Sequence, residues 1–297
     1  DQFDLTADHK EFEINRYIAE QITVVRNIAE LDELRAAADA LLVEETGTAA
    51  YKTAHFQLAE VLFLSTFLDY GSATASDLTE VFMMTRVGGR VFFSTQPDDE
   101  GEYRLNHQYF VQGQKETFLQ KVYPSPDTAA PTLTVSTPLL SPTGELLGVL
   151  AAHVRLSVLV EIVSRQTGLG ESGEAYLVDA HNRFISPERF GHASYPRGVH
   201  SQGIETALQG HNGAGLYDNY AGEPVIGSYR WLPELGLALI SEVRASAALA
   251  PANRFGVMVL AVGLLAVGLL SIGIYLIAVR ITQPILAVTE TTLKISA

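Results

Sequence analysis

Seven side chains between residues 102 and 136 could together hold a small polar molecule: Tyr103, Arg104, His107, Tyr109, Phe110, Tyr123 and Asp127. A site of that kind needs apolar walls and a few placed donors and acceptors. The aromatic rings supply the walls. Arg104 and His107 form the basic pair of residues 102–110, Asp127 and the tyrosine hydroxyls could orient an amino or hydroxyl group, and the expected ligand is anionic or zwitterionic. The same residues have a plainer use, with Phe110 and Tyr123 as core and Arg104 as a solvated charge.

Catalysis finds little support. The chain has no phosphate-binding loop of the G-x-x-x-x-G-K type, no H-E-x-x-H and no G-x-S-x-G. Residues 168–173, GLGESG, match the spacing of a dinucleotide fingerprint. That fingerprint must follow a strand and open a helix, whereas here it follows a helical pattern and leads into a strand, so it reads as a turn. Cysteine is absent, which removes disulfides and thiolate ligands. His192, His200 and His211 are the densest histidines and lack the spacing of metal ligands. We expect no catalytic residue, no metal and no cofactor.

These side chains must be positioned by the elements around them. Ile14, Ile18, Ile22, Val25 and Ile28 recur at three- and four-residue spacing, and Leu31, Leu34, Ala38 and Leu41 continue the stripe. This predicts one long helix over 9–45, capped by Asp8 with Glu11 and ended by Gly47. A second helix is expected at 50–69. Apolar runs at 81–84 and 91–93 flank VGGR, a hairpin signal. A short helix near 107–114, strands at 117–123, 131–138 and 146–154, and a helix at 156–167 follow. A smaller pass adds a strand at 175–178, a helix at 200–209, a hairpin of 215–220 with 224–231, and a strand at 237–240. A short helix, 244–253, then leads into Phe255–Val279, which is free of charge and long enough to cross a bilayer.

Charge is uneven along the chain. Residues 1–254 hold 18 basic and 33 acidic groups, a net of −15, and the remainder is +1. So acidic a region argues against nucleic acid as a partner. It suits a folded region outside the cytoplasm of a cell whose inner (plasma) membrane is spanned by 255–279, with 280–297 inside. The first residues, DQFD, are not a charged-then-apolar leader, so an export signal or anchor is expected upstream.

Four stretches in order resemble the double Cache family of bacterial sensor domains: TFLQKVYPS at 117–125, PTLTVSTP at 131–138, TGELLGVL at 143–150 and GLGESGEAYLVD at 168–179. The resemblance covers roughly residues 9–245. It implies an α+β fold of two stacked PAS-like antiparallel-sheet modules on a long N-terminal helix, with small ligands bound mostly in the membrane-distal module. In the family's amino-acid-binding branch an arginine opens an Arg-x-aromatic-aromatic run. The matching run is HQYF at 107–110, so His107 stands at the arginine's position, and Asp127 follows Tyr123 later than the branch's aspartate does. After the membrane segment, RITQPILAV at 280–288 resembles the start of a HAMP relay. Ile281, Ile285, Val288, Thr292 and Ile295 alternate by four and three, as a coiled-coil seam does.

The expected organisation is therefore two N-terminal helices in 1–78, a distal module 79–168, a proximal module 169–245, a membrane helix 255–279 and a truncated relay 280–297. The expected function is the sensor region of a membrane receptor, a parallel homodimer that passes occupancy by a small polar metabolite, of amino-acid or organic-acid type, to an output beyond residue 297. That output could be a histidine kinase, a chemotaxis transducer or a cyclase. The rival reading from another class is a membrane-anchored interaction domain without a small ligand.

Overall fold

The computed structural model describes the backbone of residues 2–67, 77–125, 130–165, 172–185 and 198–295. It divides into two compact units, Asp1–Arg244 and Ala245–Ala297. The first opens with helix α1, Gln2–Glu30. The apolar stripe lies where its spacing puts it: Ile14, Ile18, Val25 and Ile28 are buried, and Leu34, Ala38 and Leu41 extend the same core. Fully burying one such side chain contributes about 1.5–3 kcal/mol.

Two expectations about this helix are corrected. It begins at Gln2, so Asp8 is an interior residue rather than a cap, and its carboxylate accepts from Arg230 Nη2 at 2.9 Å. It also breaks at Leu31, whose ψ of 125° is extended, before α2 resumes at Asp32–Val43. Asp32 and Glu33 suit a new helix start, where the helix dipole favours negative charge. Arg35 Nε donates to the carbonyl of Ala29 at 2.9 Å, satisfying an acceptor left open at the end of α1. Helix α3 follows as Ala49–Phe67.

A five-stranded antiparallel sheet comes next. Its strands are β1 (Leu78–Thr85), β2 (Val91–Ser94), β3 (Phe118–Pro124), β4 (Pro131–Leu140) and β5 (Leu146–Val154), in the order β2-β1-β5-β4-β3. A 3-10 turn at Pro97–Asp99 and the short helix α4, Gln108–Gly113, lie between β2 and β3. Helix α5, Leu156–Ser164, leads towards a four-stranded antiparallel sheet: β6 (Gly173–Asp179), β7 (Gly213–Asp218), β8 (Pro224–Leu232) and β9 (Leu237–Arg244), ordered β6-β9-β8-β7. Helix α6, Gln202–Leu208, precedes β7. The fold is α+β, with two antiparallel sheets behind one long helix.

Strand alternation sorts the sheet residues onto two faces. Leu133, Val135, Leu150 and Ala152 of the first sheet, with Leu177, Leu237 and Leu239 of the second, join the α1 residues in one core. The opposite face of the first sheet carries Phe82, Met84, Val149 and Ala151 against Tyr109 and Phe110 of α4. The opposite face of the second carries Tyr176, Val178, Ala238 and Ile240 against Ile204 and Ala207 of α6. Gly113 sets how closely α4 approaches: a Cβ there would stand 2.6 Å from Ser136 Oγ and 2.8 Å from a Val149 methyl.

The modules touch through specific groups. The register of β3 on β4 shifts between Gln120 and Tyr123, and the backbone N–H of Val122, inside this bulge, donates to the carbonyl of Leu235 at 3.0 Å. Lys10, fully buried on α1, donates to the carbonyls of Ile162, Val163 and Arg165 at 3.2, 2.6 and 2.8 Å. It thereby satisfies acceptors at the C-terminal end of α5.

The second unit is helix α7, Ala245–Ile295. The separate helix expected at 244–253 is the first part of it. Its Ala245–Arg280 portion has a mean hydropathy of 2.7 over its most apolar window and is long and apolar enough to cross a membrane.

Candidate functional site

The α4-facing side of the first sheet is apolar along one half and polar along the other. Register places Glu80 opposite His153 and His153 opposite Thr134. Ser94 Oγ donates to Glu80 Oε1 at 2.7 Å. Glu80 Oε2 lies 3.4 Å from His153 Nε2, His153 Nδ1 lies 2.9 Å from Thr134 Oγ1, and Thr134 Oγ1 lies 2.8 Å from the Tyr123 hydroxyl. One set of donors satisfies the whole string: Tyr123 donates to Thr134, Thr134 to His153 Nδ1, and His153 Nε2–H to Glu80. From Ser94 to Tyr123 the string takes one residue from each of the five strands.

Aromatic rings hold the imidazole in place. Phe82 meets it edge-on at 5.1 Å and Tyr109 at 6.4 Å, while His107 stacks on Tyr109 at 4.8 Å. Tyr109 is fixed by its backbone N–H, which donates to Gln120 Oε1 at 2.9 Å. Its hydroxyl is buried and completes no hydrogen bond. Burial pushes its pKa far up, the neighbouring Tyr123 adds to this, and the Arg104 charge acts in the opposite sense.

Glu80 has an open side. Together with Asp99, Thr132, His153 and Arg155 it lines a cleft of about 440 Å³, a volume suited to a small metabolite. Burial raises the Glu80 pKa to about 7, Ser94 lowers it, the facing Asp99 carboxyl raises it and the Arg104 charge lowers it. Near neutrality this carboxyl can gain or lose a proton on contact with a ligand. A second hollow of about 470 Å³, lined by Leu62, Phe63, Phe93 and Pro97, meets the first at Thr79 and Glu80.

The residues expected from the sequence fall into three groups. Arg104, His107, Tyr109 and Tyr123 do gather around the polar string. Arg104 is buried, however, with Nη2 against Glu102 and 3.7 Å from Asp99 Oδ2, so its charge is committed to two carboxylates. Phe110 is core against Gly89, and Tyr103 is 71% exposed beside the β1–β2 turn. Asp127 lies outside the described residues. Glu80, Asp99, Thr134 and His153 were not among the residues expected, although Glu80 and His153 carried a signal, each being a charged or ionisable inward position within an apolar strand.

The profile of the Cache domain (dCache_1) matches residues 1–252. The chain belongs to the Cache family. A search of the curated proteins returned no match in sequence. Among solved structures, this Cache chain is similar to the ligand-binding domain of Campylobacter jejuni chemoreceptor Tlp3 in complex with 4-methylisoleucine. The TM-score is 0.54 at 14% identity, covering 83% of this chain and 89% of that one. It is also similar to the ligand-binding domain of the Pseudomonas aeruginosa PAO1 amino acid chemoreceptor PctC in complex with GABA, with a TM-score of 0.50 at 16% identity, covering 81% and 96%. The corresponding domain of PctB from the same organism, in complex with L-Arg, gives 0.50 at 15%, covering 84% and 94%. At these identities the likeness is one of Cache fold.

Proposed function

We propose that the chain is the extracytoplasmic sensor region of a bacterial membrane receptor, and that its ligand is a small zwitterion of amino-acid type. The observation that carries this reading is the polar floor of the 440 Å³ cleft. Glu80 and His153 sit in the polar half of this sheet face, where burying polar groups costs stability unless they are hydrogen-bonded, and Glu80 still fronts the cleft. Glu80 and Asp99 on one side of the cleft suit an ammonium group. Arg155, exposed on another side, suits a carboxylate. Arg104 then serves by holding Asp99 in place, rather than as the grip on an anion. The amino acids bound by the similar chemoreceptor domains are of this class.

In this reading the apolar part of α7 anchors the sensor, residues 1–254 lie outside the cytoplasm, and 280–297 begin a HAMP relay to a histidine kinase, chemotaxis transducer or cyclase. The charge-free run, its length and the four-three spacing after it support this. The relay seam calls for a parallel homodimer. Ligand acts by binding one of two packing states better than the other.

The test is calorimetric titration of the chain with a panel of amino acids and small amines. A ligand should bind to the wild type, and Glu80→Gln and Arg155→Ala should each weaken it about tenfold or more, the loss of one charge-assisted hydrogen bond. A ligand whose affinity neither substitution changes would place the site elsewhere. No binding across the panel would favour an interaction domain without a ligand.

A further inference from the structure

The second module repeats the design of the first, a sheet face under a short helix, and it too buries carboxylates there. Glu174 on β6 and Glu242 on β9 are cross-strand partners, 5% and 1% exposed. Glu242 Oε1 accepts from the Tyr176 hydroxyl at 3.0 Å. Its Oε2 is buried and completes no hydrogen bond, and neither does the neighbouring Tyr217 hydroxyl. Tyr217 is wedged in place: a Cβ on Gly227 would stand 2.2 Å from its oxygen, and one on Gly203 2.5 Å. Both carboxylates line a hollow of about 40 Å³, and at its mouth Glu223 Oε2 pairs with Arg244 Nε at 3.1 Å. Asn219, also in the lining, is committed to its own turn through the N–H groups of Ala221 and Glu223.

We propose that this hollow is a second ligand site, which takes one small hard cation between Glu174 and Glu242. A water-sized occupant needs roughly 10–15 Å³, so the space admits an ion and not a carbon skeleton. The lining offers carboxylate oxygens and no imidazole or sulfur, which favours cations of the calcium or magnesium kind over zinc or copper. Three glutamates against one arginine leave two negative charges when all are ionised, matching one divalent ion. Among the described residues no three acidic or imidazole groups already converge as a metal cage. The ion is therefore held by the buried pair, and water and carbonyl oxygens fill the rest of its shell. Burial pushes the Glu242 carboxyl up to about 7, the hydrogen bond from Tyr176 holds it back, and Glu174 adds to the rise. The cation therefore competes with a proton. The site stands on β9, whose last residue, Arg244, immediately precedes α7 in the chain.

The experiment uses the whole chain in uncharged detergent and needs no knowledge of the first module's ligand. Terbium, a calcium stand-in, should show luminescence sensitised by Tyr176 and Tyr217, and calcium should compete it away. In parallel the unfolding midpoint should rise with calcium or magnesium by roughly 5–10 °C at a hundred times Kd. Ammonium and potassium arms at equal ionic strength separate divalent from monovalent binding. Glu174→Gln and Glu242→Gln should each weaken the ion at least tenfold, while Glu80→Gln should leave it unchanged. If Glu242→Gln does not fold, Glu174→Gln and the wild-type terbium signal decide. The proposal is overturned if no cation binds, if binding survives both substitutions, if Glu80→Gln abolishes it, or if the midpoint responds to pH alone.

Discussion

Replacing Glu80 by glutamine should make the protein more stable at pH 8 and flatten its response to acid. The side chain is 4% exposed, and burial raises its pKa from 4.5 to about 7. A raised carboxyl pKa means that the folded state holds the proton more tightly than the unfolded chain does. Stability therefore falls as pH rises from 4.5 towards 7 and is lowest above 7, the reverse of a salt-bridged carboxylate. Keeping the carboxyl protonated to about pH 7 corresponds to a difference of roughly 3 kcal/mol across that window. Glutamine keeps the shape and can still accept from Ser94, but carries no charge to desolvate. The variant should gain about 2–3 kcal/mol at pH 8 and almost nothing at pH 4.5, a midpoint rise of roughly 5–10 °C at the upper pH for a unit of this size. The assay is thermal unfolding followed by circular dichroism between pH 4.5 and 8.5, with wild type and variant side by side. If the variant's midpoint tracks the wild type's across the range, Glu80 is not held protonated by its surroundings, and the account of the polar floor is wrong.

Three further outcomes are expected. Gln21 is fully buried on α1 and neither atom of its amide finds a partner, so Gln21→Leu should stabilise by about 1–3 kcal/mol, read as an increased urea midpoint with an unchanged slope. Lys10→Met removes the donor from three carbonyls at the end of α5 and should cost about 3 kcal/mol, seen in the same denaturation series. For membrane topology, alkaline phosphatase fused at Gly222 should be active and fused at Ala297 inactive; the opposite pattern would reverse the orientation assigned to the chain.

The order of helices and strands was legible because each rests on a short-range pattern. The stripe from Ile14 to Leu41 needs one apolar face whatever it packs against, and the VGGR turn needs glycines, with Gly88 and Gly89 both at positive φ. The Leu31 break was not legible, since nothing in that period marks a leucine for extended backbone. Asp8 looked like a cap because capping is a local rule, while its actual partner, Arg230, lies 222 residues away. The site was half legible for the same reason. His107, Tyr109 and Tyr123 cluster in sequence and in space. Glu80 and His153 meet only because β1 and β5 are neighbours, a pairing that strand periodicity does not reveal. Arg104 was singled out but its pairing with Glu102 and Asp99 was not legible, because a committed guanidinium and a free one look alike in a sequence.

The two sheets share helix α1, and this bears on how such a molecule can be recombined. Its N-terminal turns reach the second sheet through Asp4 and Asp8, which hold Arg230 at 3.0 and 2.9 Å, while Ile14 to Ile28 lie in the core common to both. Residues 4 and 8 of α1 thus already touch β8 of the second sheet. A chimera that grafts a foreign first module by joining sequences near α5 would import that donor's helix and set it against a sheet it never evolved with. Crossovers that preserve function should come in pairs, one within α1 and one near α5, so that the opening turns travel with β6–β9. On the function proposed above, ligand specificity would then be exchangeable between receptors as an insertion within a continuous host, rather than as an N-terminal half.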